Sequence, residues 1–454
     1  MEKILRFFEK YIIPKFLYRL GQPIYHFSLA FFSALIYGFP SRKMKVIGVT
    51  GTKGKTTTCN LIAQILNSSG HKTGMATTVN FRIGDKEWKN ESKQTMLGRF
   101  QLQKLLRQMV KEKCEYAVVE TSSEGILQYR HRFIDYDVAV FTNLSPEHIE
   151  RHGGFENYRS AKVRLFEKVS QKKDGVGIYN LDDENVEYFL KPLITRKIGF
   201  TTLSRQMPTI SNIVNIKNIK LYSDKTEFEI TFQLLSQLKC NNIEIEMPLI
   251  GKFNVYNAAG AIAVALSQNI PIGKIKEALA QAKSPAGRME IIDKRQNFTV
   301  IVDYAHEPAS LEAVYITVKK LKVESSKLIC LLGAQGGGRD KWKRPKMGEI
   351  AGQYCDEIIL TNEDPYDEQP EAIINDIASG CLQIQNSKPC LSANRSKILK
   401  IVDRKEAIKK ALSLAKKGDV VILTGKGGES SMCVEGGKKI SWDEKKIVEE
   451  ILEK

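Results

Sequence analysis

Residues 44–61 read MKVIGVTGTKGKTTTCNL, and this stretch decides the fold of the chain. The apolar run Met44–Val49 predicts a buried strand, and apolar residues at helical spacing from Leu61 onward predict a helix. Between them, residues 50–57 form a loop of glycine, threonine and lysine. A strand, a glycine loop and a helix N-terminus together predict a phosphate-binding loop, because backbone N–H groups and the helix dipole both face the anion.

The side chains of this loop indicate how a nucleoside triphosphate would be held. Lys55 would reach the β- and γ-phosphates, and the hydroxyl of Thr56 would hold Mg²⁺. The loop is a shortened variant of the usual pattern, because Val49 stands where the first glycine is expected. An ordinary glycine-rich turn beside a solvated lysine is the alternative. The other residues predicted to contact the nucleotide here are Gly51, Thr52, Lys53, Gly54 and Thr57.

Size and composition limit the possible functions. A chain of 454 residues is too long for one ordinary core and predicts two or three domains. The net charge of +17 is compatible with nucleic acid, an anionic membrane or polyphosphate substrates. Because there is no zinc-finger spacing and no basic-aromatic RNA-binding signature, we expect no nucleic-acid partner. Eight cysteines without a CxxC pair favour reduced thiols in a cytosolic protein over a disulfide framework.

Residues 1–43 form a short hydrophobic and basic segment. Residues 24–39 (IYHFSLAFFSALIYGF) are apolar and aromatic, with lysines and arginines on both sides. The run is too short and interrupted to predict a membrane span, and it lacks the cleavage site of a signal peptide. Two interpretations stay open: a helical pair packed on the next domain, or peripheral association with an anionic membrane. We therefore expect a cytoplasmic protein, with contact to the inner face of the membrane as one possibility.

Residues 44–283 predict a central ATP-binding domain of the α/β class. Tyr116–Glu120 and residues 137–142 are further buried strand candidates, and they alternate with helical patterns such as residues 97–111. This alternation predicts a P-loop-type, doubly wound and mostly parallel sheet. Ligands of such sheets bind at the carboxyl ends of the strands, where Glu120 lies.

The pattern changes after about residue 210. A period of two between residues 210 and 248 predicts antiparallel strands added to the sheet, and residues 251–268 return to a helix. We place a domain boundary at residue 284. Residues 284–454 alternate strands with helices and predict a second, Rossmann-like α/β domain. Its predicted strands are Thr299–Asp303, Lys327–Leu332, Glu357–Thr361 and Asp419–Thr424.

Six short motifs follow the loop, and each is weak alone. They are ETSS (120–123), TNLSPEH (142–148), YRSAK (158–162), NVYN (254–257), GRME (287–290) and DYAH (303–306). In this order the chain resembles the Mur ligases, ATP-dependent amide ligases of cell-wall synthesis, from about residue 44 to the C-terminus. The motifs GRDKWKRP, DP and GKGGE, which begin at residues 338, 364 and 425, make the resemblance strongest to the muramyl-tripeptide synthetase branch.

The resemblance implies an ADP-forming acid–amino-acid ligase of peptidoglycan precursor synthesis. The γ-phosphoryl group of ATP would activate a carboxylate as an acyl phosphate, which an amine then attacks. Lys55, Glu120, His148 and Lys162 would be catalytic, and the metal ligands would be Thr56, Glu120, His148 and a carbamoylated Lys162. Histidine is an atypical Mg²⁺ ligand, so the role of His148 rests on the resemblance, with a helix cap as the alternative.

Lys162 stands where the family carries a lysine carbamoylated by CO₂. From the sequence alone it would be an ordinary surface lysine of a helix. The resemblance also implies contacts with the nucleotide or its phosphates at Asn257, Arg288, Asp303 and His306.

The incoming amino acid is expected to meet the C-terminal domain. Relatives that add diaminopimelate carry Asp-Asn-Pro-Arg, whereas residues 363–366 here read Glu-Asp-Pro-Tyr. Tyr366 removes the arginine that would pair with a distal carboxylate, and Asp364 adds negative charge. We therefore expect L-lysine or a similar diamine. The other substrate contacts implied by the resemblance are Thr95, Ser122, Arg339, Gly425 and Glu429.

Departures from the family pattern leave the acceptor open. Thr95-Met96-Leu97 replaces Thr-Thr-Pro, and Glu124 replaces the histidine of Ser-Ser-His. Only 43 residues stand where the family has a uridine-binding domain. The acceptor is expected to be a UDP-muramyl peptide, with polyglutamyl, cyanophycin-type or lipid-linked acceptors as alternatives. An alternative of another class is a membrane-tethered nucleotide-binding protein without ligase activity. We expect a monomer. Apart from the membrane contact considered above, we expect it to bind only small-molecule substrates.

Overall fold

The computed structural model describes residues 15–92, 94–147, 152–233, 239–321, 326–338, 340–387 and 396–453. The chain divides into two compact units. The first comprises Met1–Asn215, Phe232–Cys240 and Ala259–Ile275, and the second comprises Ile216–Thr231, Asn241–Ala258 and Lys276–Lys454. The predicted domains 1–43, 44–283 and 284–454 stay a prediction.

The first described element is one long helix, α1 (Lys15–Ile36). The rings of Phe27 and Phe31 meet the ring of Phe133 edge-on, at 5.2 and 5.5 Å between centres. A helix packed on the protein is therefore observed for the described part of the N-terminal segment. The rest of the predicted pair, residues 1–14, lies outside the described residues. Within the described ranges, no helix has the length and apolar character needed to cross a bilayer.

The first unit is built on a mostly parallel sheet with helices between its strands. After a 3₁₀ turn (Pro40–Lys43), its elements are β1 (Lys45–Thr50), α2 (Lys55–Ser68), β2 (Thr73–Ala76), β3 (Asn80–Ile83), β4 (Lys86–Lys89), α3 (Arg99–Lys111), β5 (Tyr116–Glu120), α4 (Ser123–Leu127), β6 (Tyr136–Phe141), α5 (Phe155–Ser170), β7 (Val176–Asn180), α6 (Val186–Leu190), β8 (Arg196–Thr201) and the beginning of β9 (Asn212–Leu221). In this unit the strand order is β9-β8-β7-β6-β1-β5-β2-β3-β4.

The position of β1 between two parallel neighbours places the phosphate-binding loop. β1 pairs in parallel with β5 and β6 over almost its whole length. All three strands are buried apolar runs, and each was predicted within one residue of its observed ends. Because parallel strands end at the same edge of a sheet, the loop after β1 lies beside the residues that follow β5 and β6. The predicted fold class is thus confirmed.

Strands are present in the region between residues 210 and 248, for which antiparallel strands added to the sheet were predicted. They are β9, β10 (Thr226–Gln233) and β11 (Lys239–Met247), in the order β11-β10-β9-β8. The first of them, β9, pairs in parallel with β8. At the other edge of the sheet, β3 pairs antiparallel with β2 and β4.

The second unit contains a second sheet. Before that sheet, the chain of this unit forms the rest of β9, then β10 (Thr226–Gln233) and β11 (Lys239–Met247), which follow β9 in the order β9-β10-β11. The helices α7 (Lys252–Ser267) and α8 (Ile272–Ala280) come next along the chain, and each is divided between the two units. The second sheet has the order β12-β13-β17-β14-β15-β16 and is parallel except for β12. Its strands are β12 (Glu290–Ile292), β13 (Thr299–Val302), β14 (Leu328–Leu332), β15 (Glu357–Leu360), β16 (Lys397–Lys400) and β17 (Val420–Leu423).

Helices cover this sheet, and apolar side chains of both layers form its core. The helices are α9 (Pro308–Lys319), α10 (Lys343–Tyr354), α11 (Pro370–Ser387), α12 (Arg404–Leu414) and α13 (Glu444–Leu452). A hairpin of β18 (Ser431–Val434) and β19 (Lys438–Ser441), with a 3₁₀ turn between them, completes the unit. The four strands predicted in this region are all present.

The prediction of reduced thiols is wrong for one pair. Cys330 in β14 and Cys355, just before β15, form a disulfide with their Cα atoms 6.1 Å apart. Adjacent parallel strands bring these two residues within the range that a disulfide needs. Their separation of 25 residues does not reveal this neighbourhood. Four other described cysteines are free and buried: Cys59, Cys114, Cys381 and Cys433.

Candidate active site

The loop between β1 and α2 has the backbone shape of an anion cradle. Gly51 and Gly54 have φ values of 149° and 81°, which glycine adopts without strain. A Cβ at Gly51 would lie 2.0 Å from Oγ1 of Thr142, so no larger residue fits there. No side chain caps α2 at Gly54, so the N-terminus of this 14-residue helix directly follows the loop. A helix N-terminus in this position offers a phosphate its N–H groups and the positive end of the helix dipole.

Residues that follow β6 fix this loop from one side. The backbone N–H groups of Thr52 and Lys53 donate to the main-chain oxygen and to Oδ1 of Asn143, at 2.8 and 2.9 Å. The hydroxyl of Thr142 donates to the carbonyl of Lys53 at 2.7 Å. The Thr52 hydroxyl also lies 3.0 Å from the hydroxyl of Tyr158 in α5. The loop is thus held in shape by the protein itself, which lowers the cost of ordering it around a ligand.

Two predicted metal ligands are in contact. Oγ1 of Thr56 donates to Oε2 of Glu120 at 2.9 Å, and the same carboxylate oxygen accepts the N–H of Thr78 at 2.8 Å. Thr56 and Glu120 are both buried. A hydroxyl and a carboxylate are the oxygen donors that Mg²⁺ prefers, so these residues fit that ion. The third predicted protein ligand, His148, lies outside the described residues.

Lys162 is buried beside the loop, so its interpretation as a surface lysine is wrong. Its Nζ donates to the carbonyl oxygen of Gly51 at 2.6 Å and lies 4.5 Å from the ring centre of Tyr158. Burial, with a further contribution from the positive charge of Lys55, holds the pKa of Lys162 well below its usual value. The helix α5 turns this residue inward, although its sequence has charged residues on either side. Lys162, the lysine predicted to be modified, therefore lies beside the predicted phosphate-binding loop.

Two more lysines belong to the loop. Nζ of Lys55 donates to the carbonyl of Thr52 at 2.9 Å, and Nζ of Lys53 forms an ion pair with Glu147 at 2.9 Å. No role was predicted for Tyr158 or Glu147. Both residues belong to motifs quoted above, YRSAK and TNLSPEH. Their place in these motifs was the signal from which a role could have been predicted.

Predicted acceptor contacts in the first unit lie near two arginines that the sequence analysis missed. Ser122 caps α4 through its hydroxyl, and Thr95 is half-buried. Arg130 donates to oxygens on both sides of Thr95, in Gln94 and Met96. Arg99 contacts Nδ1 of His26 in α1 at 2.5 Å. Burial lowers the pKa of both arginines, and this cationic cluster suits an anionic group.

In the second unit, three of the four predicted nucleotide contacts lie next to β12 and β13: Arg288 precedes β12, and Asp303 and His306 follow β13. The guanidinium carbon of Arg288 lies 4.2 Å from the ring centre of Tyr304. Asp303 accepts two main-chain N–H groups at 2.7 Å, and Nδ1 of His306 lies 2.8 Å from the carbonyl of Tyr304. The fourth residue, Asn257, is in α7, where its side chain donates to Asn254 at 3.0 Å.

Asp364 shares the ammonium group of Lys426 with Glu429. Its Oδ1 accepts Nζ of Lys426 at 2.9 Å and the N–H of Cys433 at 2.7 Å. Lys426 is fully buried and contacts Oε2 of Glu429 at 2.5 Å. Burial acts to lower the pKa of Lys426, but the carboxylates of Glu429 and Asp364 outweigh it and raise that pKa. Asp364 thus has partners within the protein, and the expectation that it presents added negative charge to a substrate stays a prediction.

The neighbouring Glu363 has a buried carboxyl group that forms no ion pair with the described residues. It is 1% exposed, and its Oε2 accepts no hydrogen bond from the described residues. Burial raises its pKa to about 7. A Cβ at Gly425, whose φ is 104°, would lie 2.5 Å from this oxygen. Tyr366 is half-buried with a φ of 52°, and Arg339 lies outside the described residues.

The parallel sheet, the glycine loop and the Thr56–Glu120 pair define a nucleotide-dependent enzyme of the α/β class. Comparison with known families makes this specific. The family model of the Mur ligase middle domain matches residues 49–265, and that of the Mur ligase glutamate ligase domain matches residues 287–427.

Similar proteins extend over most of the chain. A UDP-N-acetylmuramoyl-L-alanyl-D-glutamate–2,6-diaminopimelate ligase of Syntrophomonas wolfei is 36% identical over 94% of this chain and 81% of its own length. A ligase of the same name from Clostridium acetobutylicum, numbered 1, is 38% identical with the same coverage. A UDP-N-acetylmuramyl-tripeptide synthetase of a Roseiflexus species is 36% identical over 92% of this chain and 80% of its own length.

Solved structures agree with these relatives. A diaminopimelate ligase structure of the same name superposes with a TM-score of 0.60 at 30% identity, over 90% of this chain and 78% of the other. A folylpolyglutamate synthase of Mycobacterium tuberculosis shares the fold, with a TM-score of 0.67 at 17% identity over 88% of this chain and 92% of its own. The chain belongs to the Mur ligase family. It is an ATP-dependent, amide-bond-forming ligase of peptidoglycan precursor synthesis, similar to the tripeptide synthetases, and it uses ATP and Mg²⁺.

Proposed function

We propose that this ligase joins a diamino acid, L-lysine in preference to diaminopimelate, to the terminal carboxylate of a UDP-N-acetylmuramoyl dipeptide. The observation that supports this proposal most strongly is the phosphate-binding loop with the Thr56–Glu120 pair and the buried Lys162 beside it. The chain is also 36% identical to a ligase whose name contains this acceptor. Diaminopimelate in that relative's name is the relative's own substrate.

The reaction has two steps whose demands match the loop. A carboxylate oxygen of the acceptor attacks the γ-phosphorus of ATP, which gives an acyl phosphate and ADP. The amine of the amino acid then attacks the carbonyl carbon, loses a proton, and displaces inorganic phosphate. In this proposal Lys55 neutralises the transferring phosphoryl group, and the first N–H groups of α2 hold the phosphates. Bound Mg²⁺, held by Thr56 and Glu120, supplies further neutralisation of phosphate charge.

Lys162 would act as a carbamate. The neutral amine adds to CO₂ and releases one proton, which leaves a carbamate anion. The burial of Lys162 and its depressed pKa support this role, because only the uncharged amine reacts with CO₂. Its contact with the carbonyl of Gly51 would place the new anion beside the phosphate-binding loop. The product anion would position the metal and the acceptor.

The preference for lysine rests on Tyr366. A tyrosine cannot pair bidentately with a second carboxylate, as arginine does, so diaminopimelate would leave its distal carboxylate without that partner. The Glu363 carboxylate, whose Oε2 has no partner among the described residues, would accept a hydrogen bond from the distal ammonium that both amino acids carry. Arg99 and Arg130, beside Thr95, support an anionic acceptor.

ADP release against a matrix of acceptors and amino acids tests this proposal. The acceptors are UDP-N-acetylmuramoyl-L-alanyl-D-glutamate, a folate polyglutamate and a cyanophycin-type peptide. The amino acids are L-lysine, L-ornithine and meso-diaminopimelate. We expect turnover only with the muramyl dipeptide and fastest with lysine. Faster turnover with diaminopimelate than with lysine would refute the preference for lysine. Turnover with either of the other two acceptors would refute the proposal that the muramyl dipeptide is the acceptor. Lys55→Ala is the inactive control, because it removes the phosphate contact without touching either amino-acid or acceptor residues.

A further inference from the structure

The outer face of α1 consists of large apolar side chains in contact with solvent. Their exposed fractions run from 37% to 71% for Ile24, Tyr25, Phe27, Phe31, Phe32, Leu35 and Ile36. At about 100° per residue, these positions share one half of the helix. Phe27 and Phe31 stand at the border of this face and also meet the ring of Phe133. The other half of the helix carries the small buried residues Ala30, Ser33 and Ala34. An exposed apolar face of this kind marks an interaction site, because scattered single residues are the rule elsewhere on soluble proteins.

A cation-lined cavity adjoins this outer face. It has a volume of about 430 Å³, and Phe27 lines it as well as belonging to the outer face. Four cations line the cavity: Arg42, Arg132, Arg164 and Lys168. Of its two carboxylates, Asp135 pairs with Lys172 at 3.1 Å. Across the described ranges, none of the four cations forms an ion pair with a carboxylate.

A buried histidine reports the same excess of positive charge. His131 lines the cavity, is 5% exposed, and its Nδ1 has no hydrogen-bond partner in the described part of the chain. Burial, together with the charges of Arg132, Arg164 and Lys168, lowers the pKa of His131 to about 3. The ring is therefore neutral, so the positive charge at this cavity comes from the four cations.

We propose that the outer face and the cation cavity together bind the surface of a bilayer that contains anionic phospholipids. The apolar side chains of α1 would enter the boundary between headgroups and acyl chains, and the four cations would contact lipid phosphates. An apolar protein partner would bury these cations without counter-charges, which is costly. A soluble phosphate would leave the apolar face unused. A lipid surface satisfies both parts, because it offers apolar chains beneath a layer of negative charge.

This binding goes beyond the proposed reaction, which needs only soluble substrates. Vesicle sedimentation of the full chain tests it, with phosphatidylcholine vesicles and with mixed phosphatidylcholine–phosphatidylglycerol vesicles. We expect binding to the mixed vesicles alone, and weaker binding as ionic strength rises. Arg164→Glu with Lys168→Glu should lower the partition coefficient by about tenfold or more. Phe32→Ser with Leu35→Ser should lower it by a similar factor through the lost apolar contact.

Matched variants separate this surface from general effects of charge and hydrophobicity. Lys409→Glu with Lys410→Glu makes the same charge change on the exposed surface of α12 and should leave binding unchanged. Leu193→Ser with Leu203→Ser removes two leucines that are 85% and 65% exposed elsewhere, and it should also bind normally. Ligase turnover without vesicles should be the same for all four double variants, which shows that they fold.

Several results would overturn the proposal. They are an absence of binding to the anionic vesicles, equal binding to neutral ones, and equal loss in the control variants. A fourth result has two parts. The chain associates with itself, and Phe32→Ser with Leu35→Ser abolishes this association, but neither the wild type nor any variant binds vesicles. That last result would assign the outer face to a second copy of this chain.

Discussion

The side-chain nitrogen of Lys162 lies 2.6 Å from the carbonyl oxygen of Gly51, although the two residues are 111 positions apart in the chain. This contact joins α5 to the phosphate-binding loop. It buries a lysine among the charges of Lys55 and Glu120, which act on its protonation from nearby. Three residues expected to share one catalytic centre are therefore gathered in the first unit.

Replacement of Lys162 by alanine should lower ligase turnover by about a hundredfold, because a preorganised charge beside the reacting phosphate is lost. Added acetate should restore part of this activity by supplying a carboxylate in the space of the carbamate. Wild-type turnover should fall when CO₂ and bicarbonate are depleted and recover when bicarbonate returns. ADP release measures all three effects.

Lys111→Ala is the control for this experiment, since Lys111 is an exposed lysine at the end of α3. It should respond to neither acetate nor bicarbonate beyond the wild-type response. Turnover of Lys162→Ala at the wild-type level without added anion would show that the carbamate role is wrong.

Removal of the Thr56 hydroxyl should change the Mg²⁺ dependence. We expect Thr56→Ala to raise the Mg²⁺ concentration for half-maximal turnover about tenfold, because one oxygen donor is lost. Thr56→Ser keeps the hydroxyl and should stay near the wild type. A Mg²⁺ titration of ADP release measures the shift. An unchanged titration curve for Thr56→Ala would remove Thr56 from the set of metal ligands.

Restoring arginine at Tyr366 should change the amino-acid preference. Tyr366→Arg supplies a bidentate partner for a second carboxylate, and we expect kcat/KM for diaminopimelate relative to lysine to rise by about tenfold. Tyr222→Arg adds the same charge at an exposed tyrosine of the second unit and should leave the ratio unchanged. Equal ratios in both variants would mean that residue 366 does not read the amino acid.

The buried carboxyl of Glu363 should make stability depend on pH. Its pKa of about 7 in the folded protein exceeds the ordinary value of 4.5, so the folded state keeps a proton that the unfolded chain releases. The free energy of unfolding should therefore fall as pH rises from about 4.5 to 7, by up to about 3 kcal/mol. Glu363→Gln should lose this contribution, as urea unfolding at a series of pH values would measure.

Glu435→Gln, a change at an exposed glutamate of the same unit, is the matched control and should keep the wild-type slope. The comparison concerns the slope with pH, so a uniform loss of stability in Glu363→Gln would not obscure it. Identical slopes in Glu363→Gln and the wild type would contradict a raised pKa at this residue.

The buried strands could be predicted from the sequence because each is a continuous apolar run. Tyr116–Glu120 is a clear case, since the predicted and observed bounds are the same. The edge strands β3 (NFRI) and β4 (KEWK) mix polar and apolar residues, are only partly buried and were missed. Their pairing depends on neighbours that the local pattern does not encode.

The site residues likewise divide into those that a local motif predicts and those that depend on contacts between distant segments. The loop at Gly51–Thr57 is a local motif, so its shape could be predicted from a few adjacent residues. The burial of Lys162, the pairing of Asp364 with Lys426 and the Cys330–Cys355 disulfide all join distant segments. A single sequence gives residue types at these positions, whereas their charge state and accessibility depend on the packing of other elements.

The measurement that tests the central claim most directly is the fate of oxygen from the acceptor. A UDP-N-acetylmuramoyl dipeptide labelled with ¹⁸O in its terminal carboxylate is incubated with ATP, Mg²⁺, L-lysine and the ligase. Mass spectrometry of the released phosphate then reports whether this carboxylate was phosphorylated. An acyl phosphate predicts one carboxylate oxygen in each phosphate released during amide formation. Unlabelled phosphate, with amide product formed in equal amount, would contradict the account.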